Sequence, residues 1–176
     1  MTNQLSLISS DRCDRDLFTS SQAREHVLNA AIVQAEIGGG LEEYFEILDA
    51  FYAEDIEVSG ETGKEPIRGK AKVRSLLFNF LLPLHVMAET GGLSVSIRET
   101  PLRGDVANET HSQWTLDLVG VSGAVCTLSW CVLRKWRGSR VVYERHYDHQ
   151  QIGAPLSFDD INSVGVNPVA GLRRPS

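Results

Sequence analysis

The sequence has few cysteines and no long apolar run. The three cysteines include no CxxC pair, and Cys126 and Cys131, five positions apart, would lie on opposite faces of a strand. We therefore expect reduced thiols in a cytoplasmic protein. No segment approaches the ~20 consecutive apolar residues that a membrane helix needs. The stretch "MTNQLSLISSDRCDRD" lacks the basic start and apolar run of a secretory signal.

Basic residues are outnumbered, 17 against 23 acidic ones, which gives a formal net charge of -6. This balance argues against nucleic acid or an anionic membrane as the main partner. One local exception is "RKWRGSR" at 134–140, where four cations surround Trp136. We interpret it as a solvated hairpin turn with arginine stems packed on the tryptophan. His146 and His149 would face opposite ways on a strand, so we expect no metal site.

What remains is the composition of an ordinary globular domain, 42% hydrophobic over 176 residues. A chain of this length buries roughly two-thirds of its unfolded surface in one core. We predict a flexible N-terminal arm over 1–19, one domain over 20–154 and a flexible C-terminal tail over 155–176. The tail prediction follows from its prolines and glycines and its "RRPS" ending.

Three helices are predicted in the first half. The first is capped by Ser20 or Ser21 and closed by the glycines at 38–40. The second covers "LEEYFEILDAFYAED" from Leu41, where apolar residues recur at helical spacing, and a short strand follows at 56–58. The third follows Gly69 and ends near Pro83. Its core stripe is predicted to be Val73, Leu76, Leu77 and Phe80.

After Gly91–Gly92 the hydrophobic period changes from helical to two. Strands are predicted over 93–100, 105–118 and 124–137, and a two-residue turn at Gly138–Ser139 leads into a last strand, "RVVYERHYD". Helices followed by an antiparallel meander are typical of the α+β class.

The order of "FYAED", "IRGKAKVRSLL", "GDVANETHSQWTL", "LRKWRGSRV" and "YERHYD" resembles the NTF2-like superfamily, in its SnoaL-like and ketosteroid-isomerase-like branch. The resemblance covers roughly residues 20–152. It implies a cone in which a curved antiparallel sheet is wrapped by three N-terminal helices around a largely apolar pocket. It also implies a homodimer formed through the outer face of the sheet, and a small hydrophobic molecule as the pocket's ligand.

Superfamily membership alone does not define the reaction, because this fold hosts several chemistries. The position of the isomerase base falls at Ser59 or Gly60, so the isomerase signature is absent. The arginine–aspartate pair of the related epoxide hydrolases would fall at Thr110 and Ser112, and His146 takes the place of the last carboxylate. A hydrolase with a rebuilt site needs an arginine facing a carboxylate.

The arginine of such a rebuilt hydrolase site would be supplied by Arg98 or Arg145. The acid/base group is instead predicted in the last strand, where Glu144, His146 and Asp148 would share one face. If that face lines the pocket, His146 is the general acid/base and Asp148 orients it. If Tyr143, Arg145 and Tyr147 line the pocket, the proposal fails.

Two further histidines are candidate catalytic residues. His111 lies on a middle strand, where the alternative is an outward-facing position opposite to Trp114. His85 follows Pro83 and would project into the mouth of the cone, unless it is a satisfied core histidine.

Substrate-binding candidates are Tyr52, Asp55, Trp114 and Trp130. Tyr52 would close the apolar stripe of the second helix with its hydroxyl at the pocket rim, and Asp55 would end that helix. The two tryptophans would form an apolar wall suited to a ring-bearing ligand.

These residues predict a small cofactor-free enzyme that transfers protons on a hydrophobic cyclic or polyketide-like substrate, by isomerisation, cyclisation or dehydration. Two alternatives stay open: a non-catalytic ligand-binding or dimerisation module, and an epoxide hydrolase with a non-standard site. A closed pocket, or a wholly apolar one with the histidines outside it, would favour the module.

Overall fold

A computed structural model of the chain describes residues 20–38, 40–60, 65–89, 92–100 and 108–157. The predicted arm over 1–19, the tail after Ser157 and the start of the second long strand at 105–107 lie outside the described residues. The described helices are α1 (Ser21–Gly38), α2 (Leu41–Phe51) and α3 (Lys70–Glu89). The strands are β1 (Tyr52–Ser59), β2 (Ile67–Arg68), β3 (Leu93–Thr100), β4 (Glu109–Val119), β5 (Val125–Arg137) and β6 (Arg140–Ile152).

Helix α1 begins at the predicted serine cap. The Ser20 hydroxyl oxygen accepts the Ala23 backbone N–H at 3.1 Å, which satisfies one of the free donors of the first turn. Leu28, Ile32 and Ala35 form its buried stripe. Glu25 lies on that same stripe and is also fully buried, so α1 carries a charged group into the interior.

Helix α2 is shorter than predicted. It ends at Phe51, and Tyr52 has extended backbone angles (φ -93°, ψ 139°). Tyr52 already pairs with Val141 of β6, so sheet hydrogen bonding takes over from the helix four residues earlier than the apolar spacing suggested. Asp55 therefore lies within β1 and does not end a helix.

Helix α3 is longer than predicted, because it runs through Pro83 to Glu89. A proline in a helix removes one backbone hydrogen bond and crowds the preceding turn, but it need not end the helix when tertiary packing holds both sides. Leu81, Leu84 and Met87 are buried on either side of Pro83. Of the predicted stripe, Val73 is buried but Leu76 is 48% exposed, and the side chain of Phe80 lies outside the described residues.

The six strands form one curved sheet in the order β2-β1-β6-β5-β4-β3. It is mixed and not wholly antiparallel, because β1 runs parallel to β6 while the other neighbours are antiparallel. The β5–β6 hairpin turns at Gly138, whose φ of 61° suits glycine. This connection is the one predicted from Gly138–Ser139.

We call the sheet face that the helices cover the inner face and the opposite one the outer face. Leu116 and Val132 on the inner face are buried, as are Leu28 and Leu48 of the helices that cover it. The helices and the sheet thus share one hydrophobic core. Within the described parts of the chain, no helix is both long and apolar enough to cross a membrane.

Candidate active site

The phase of strand β6 decides which of its side chains enter the core. Glu144 lies opposite Arg134 of β5, and His146 lies opposite Val132. Arg134, Val132 and Glu144 are all buried, so Glu144 and His146 belong to the inner face. Tyr143, Arg145 and Tyr147 occupy the alternate positions and therefore the outer face.

Glu144 and His146 are hydrogen-bonded to each other. His146 Nε2 lies 2.8 Å from Glu144 Oε1. The other carboxylate oxygen, Oε2, accepts Arg134 Nε–H at 2.6 Å and the hydroxyl of Tyr52. Glu144 therefore sits between a guanidinium, a phenol and an imidazole.

Arg134 connects this pair to helix α1. Its Nη1 donates to Glu25 Oε1 at 2.7 Å and to Asn29 Oδ1 at 2.9 Å. Glu25 also accepts the hydroxyls of Thr110 at 2.8 Å and Ser112 at 3.1 Å. These interactions define a buried polar cluster, which we call the Arg134 cluster: Glu25, Asn29, Tyr52, Thr110, Ser112, Arg134 and Glu144.

The protonation states follow from these contacts. Burial by itself would raise the pKa of Glu144, but Arg134 and the His146 hydrogen bond hold that pKa well below its usual value. Burial and the neighbouring Glu144 raise the pKa of Tyr52. Burial alone would lower the pKa of Arg134, yet the carboxylates of Glu25 and Glu144 raise it overall.

Glu144 is therefore a carboxylate that can only accept hydrogen bonds. Since it faces Nε2 of His146, that nitrogen must carry the proton, and the other nitrogen, Nδ1, keeps its lone pair when the ring is neutral. The His146 side chain is 27% exposed, whereas that of Glu144 is only 7% exposed. The arrangement is an imidazole oriented by a buried carboxylate and open to solvent on one side.

Asp148 does not join this pair. Two residues of β6, Asp148 and His149, oppose the single Trp130 of β5, because the register shifts between Ser129 and Cys131. Asp148 has φ 57° and is exposed. This bulge breaks the alternation that predicted Asp148 beside His146.

The same bulge turns His149 toward Trp130. The His149 and Trp130 rings stack with centroids 6.2 Å apart, and the His146 and Trp130 rings stack at 6.4 Å. Our expectation that His146 and His149 face opposite ways is wrong for this reason. Among the described residues, no three His, Cys, Asp or Glu side chains are gathered as metal ligands.

His111 lies on the outer face, where its Nδ1 is 3.1 Å from the Tyr147 hydroxyl. Trp114 of the same strand is buried on the inner face, which is the alternative considered for this strand. His111 is thus separated from His146 by the sheet itself.

His85 lies in a different place, at a small cavity between the three helices. The cavity volume is about 20 Å³, enough for one water molecule. The walls are Ala35, Gly40, Leu41, Tyr44, Leu81, Leu84 and His85. A groove of about 290 Å³ lies on the outside of α1 and α2, and no histidine lines it.

The predicted substrate-binding residues separate into two groups. Trp114 and Trp130 stack on the inner face with centroids 5.8 Å apart, and Tyr52 is buried in the Arg134 cluster. Asp55 is far more exposed and accepts two hydrogen bonds from Arg137 Nη2, at 2.8 and 3.0 Å. The Arg137 hydrogen bond lowers the pKa of Asp55 in spite of a small opposing effect of burial.

Sequence reasoning missed Arg134 and Glu25. On the inner face, the arginine that faces a carboxylate is Arg134 and not Arg98 or Arg145. Arg134 is 1% exposed, so it is not part of a solvated turn. A signal was present in both cases. Arg134 alternates with Val132 and Trp136 on an apolar strand face, and Glu25 precedes Leu28 by three positions on the apolar stripe of α1.

Known proteins support the fold. No family model and no curated protein sequence matches this chain. Among solved structures, an NTF2-like protein of unknown function from Cytophaga hutchinsonii aligns over 73% of this chain and 98% of its own, at 13% identity and a TM-score of 0.50. A Bacillus subtilis protein provisionally assigned as an isomerase aligns over 75% and 90%, at 14% identity and a TM-score of 0.53.

A Pseudomonas putida protein provisionally assigned as a polyketide cyclase aligns over 81% of this chain and 95% of its own, at 12% identity and a TM-score of 0.47. The similarity to the Cytophaga hutchinsonii structure shows that the chain has the NTF2-like α+β cone fold. Similarity at this level of identity defines the fold and leaves the activity open.

Proposed function

We propose that this protein is a small cofactor-free enzyme that transfers protons on a hydrophobic cyclic or polyketide-like substrate, with His146 as the acid/base. The observation that carries the proposal is the Glu144–His146 hydrogen bond of 2.8 Å on the inner face, next to the aromatic wall of Trp114 and Trp130. The shared fold with a provisional isomerase agrees with proton-transfer chemistry.

The mechanism follows from the proton positions. Glu144 holds Nε2–H of His146, so Nδ1 can take a proton from a carbon next to a substrate carbonyl. The C–H electron pair moves into a carbon–carbon double bond, and the carbonyl oxygen becomes an enolate. Return of the proton to another carbon gives isomerisation, attack of the enolate carbon on a second carbonyl gives cyclisation, and loss of a β-hydroxyl with that proton gives dehydration.

Tyr52 has a positioning role in this mechanism. Its hydroxyl donates to Glu144 and is buried, so it fixes the carboxylate that orients His146. Arg134 has the same role, because its Nε–H donates to Glu144 Oε2 at 2.6 Å. This replaces the role that Asp148 was expected to have.

The proposal is tested by deuterium incorporation from heavy water at the α-carbon of a panel of cyclic aryl ketones, followed by mass spectrometry. We expect the protein to accelerate exchange of at least one ketone, and His146→Gln to lower that rate roughly 100-fold or more. His111→Gln is the matched control, because it changes a histidine on the outer face, and it should keep the rate. Equal rates for His146→Gln and the unmodified protein would remove the assignment.

A non-catalytic module, for ligand binding or for dimerisation, is the second candidate. The observation that favours a dimerisation role is the size of the cavity at His85, about 20 Å³, which is far below the roughly 300–1,000 Å³ of a drug-sized ligand site. Ketones that bind saturably without any α-proton exchange would support the module against the enzyme.

An epoxide hydrolase with a non-standard site is the third candidate, favoured by Arg134 lying between Glu25 and Glu144. In that case Glu144 would activate a water molecule. Hydrolysis of styrene oxide that is lost in Glu144→Gln, with no exchange of any ketone, would support it. The homodimer and the cytoplasmic location stay predictions, the first of them testable by light scattering of the purified protein.

A further inference from the structure

The three tryptophans of the chain differ in one respect, the partner of the indole N–H. Trp114 Nε1 donates to the Ser112 hydroxyl oxygen at 3.1 Å, and Trp136 Nε1 donates to the Thr110 hydroxyl oxygen at 2.9 Å. Trp130 Nε1 is buried and has no acceptor among the residues that the structure describes. Buried donors are nearly always paired in native proteins, so an acceptor from outside these described residues is expected, and a ligand can supply it.

Three rings stack on Trp130. The Trp114 ring, at 5.8 Å, is buried, whereas His149 at 6.2 Å is exposed and His146 at 6.4 Å is partly exposed. Trp130 itself is 8% exposed, so the two histidines are the part of this ring stack that is open to solvent. A planar group arriving there would meet aromatic surfaces with which it can stack.

The bulge in β6 explains why this strand supplies no acceptor to Trp130. With regular alternation after His146, the carboxylate of Asp148 would lie on the inner face across from Trp130, where it could accept the indole N–H. The bulge, with Asp148 at φ 57°, puts the imidazole of His149 there instead. Bulges that redirect a side chain are common next to binding and catalytic sites.

We propose that Trp130 Nε1, flanked by His146 and His149, binds the carbonyl oxygen of a planar cyclic ketone and its enolate. The inference rests on the proposed function, because it assigns the substrate oxygen to a donor beside the base. A neutral ketone needs no counter-charge at this position, where Glu144 is already paired with Arg134. As negative charge develops on the oxygen during proton removal, the hydrogen bond from the indole strengthens.

The test uses indanone, a bicyclic aryl ketone, and indane, the matched hydrocarbon without the oxygen. Each is titrated into the isotope-labelled protein, and the three indole N–H resonances are followed by NMR. We expect indanone to move the Trp130 resonance downfield and to bind roughly three- to tenfold more tightly than indane, as for one hydrogen bond. The Trp114 and Trp136 resonances are internal controls and should not move downfield, because both donors already have acceptors.

Trp130→Phe keeps an aromatic ring and removes the N–H, so it should make the two affinities equal and identify the resonance. Equal affinities for the unmodified protein, or a Trp130 resonance that indanone leaves unchanged, would overturn the inference. If the Trp130→Phe chain does not fold, the comparison of the two ligands on the unmodified chain still decides.

The outcome is separable from that of the proposed function. A Trp130 shift without α-proton exchange would leave the oxygen site standing and remove the enzyme. Exchange of the α-proton without a Trp130 shift would support the enzyme and remove the oxygen site.

Discussion

Replacement of Arg134 by methionine should be among the most destabilising single changes in the chain. The side chain is 1% exposed and donates to Glu144 at 2.6 Å, Glu25 at 2.7 Å and Asn29 at 2.9 Å. Methionine fills a similar volume but leaves two buried carboxylates without their cation. Breaking a buried ion pair in this way costs about 3–5 kcal/mol.

The assay is urea denaturation at neutral pH, followed by tryptophan fluorescence and by circular dichroism. In a thermal melt followed by circular dichroism, a loss of about 3–5 kcal/mol in the free energy of unfolding lowers the melting temperature of a chain of this size by roughly 6–20 °C. Arg137→Met is the matched control on the same strand. Its ion pair with Asp55 is 66% and 65% exposed and is screened by water, so we expect a much smaller loss of stability than for Arg134→Met.

The effect of leaving two carboxylates without their cation can be separated from the effect of lost packing. Changing Glu25 and Glu144 to glutamine in the Arg134→Met background removes the uncompensated charges, and we expect it to restore part of the lost stability. A cost below about 1 kcal/mol for Arg134→Met, or no recovery in the triple variant, would refute the account of the Arg134 cluster.

Three further predictions concern stability. Folding lowers the pKa of Glu144 from 4.5, so the stability that its carboxylate contributes is present above pH 4.5 and is lost as the pH falls below that value. Glu144→Gln should therefore weaken the dependence of the urea midpoint on acid pH. Tyr52→Phe removes a hydrogen bond to a buried carboxylate and should cost about 1.5–3 kcal/mol by urea denaturation, and a cost near zero would contradict that bond. Ser20→Ala should cost about 1 kcal/mol by loss of the α1 cap, whereas Ser21→Ala, one position inside the helix, should cost clearly less in the same assay.

The fold was largely predictable because each half of the chain has its own hydrophobic period. Apolar spacing in 41–51 and alternation in β3 to β6 are strong local signals, and the glycines at 38–40 and 138 mark boundaries. The boundaries that failed depend on tertiary contacts. Tyr52 leaves the helix to pair with β6, and Pro83 stays inside a helix packed on both sides.

The candidate site was predictable only in part. His146, Trp114 and Trp130 could be assigned to a strand face by simple alternation, and the inner face is where they lie. The bulge at Asp148 has no clear sequence signal, since one extra residue reverses every later position of the strand. The contact between Arg134 and Glu25 behind the Glu144–His146 pair could not be predicted, because the two residues are 109 positions apart in sequence.

The state of His146 tests the central claim most directly. Long-range proton–nitrogen NMR at mildly alkaline pH distinguishes the two neutral tautomers of each histidine. We predict that His146 carries its proton on Nε2, facing Glu144, and that Glu144→Gln removes this preference while His111, bonded to Tyr147, is unchanged. A proton on Nδ1 of His146, or a tautomer that Glu144→Gln does not alter, would contradict the claim that Glu144 orients an acid/base histidine.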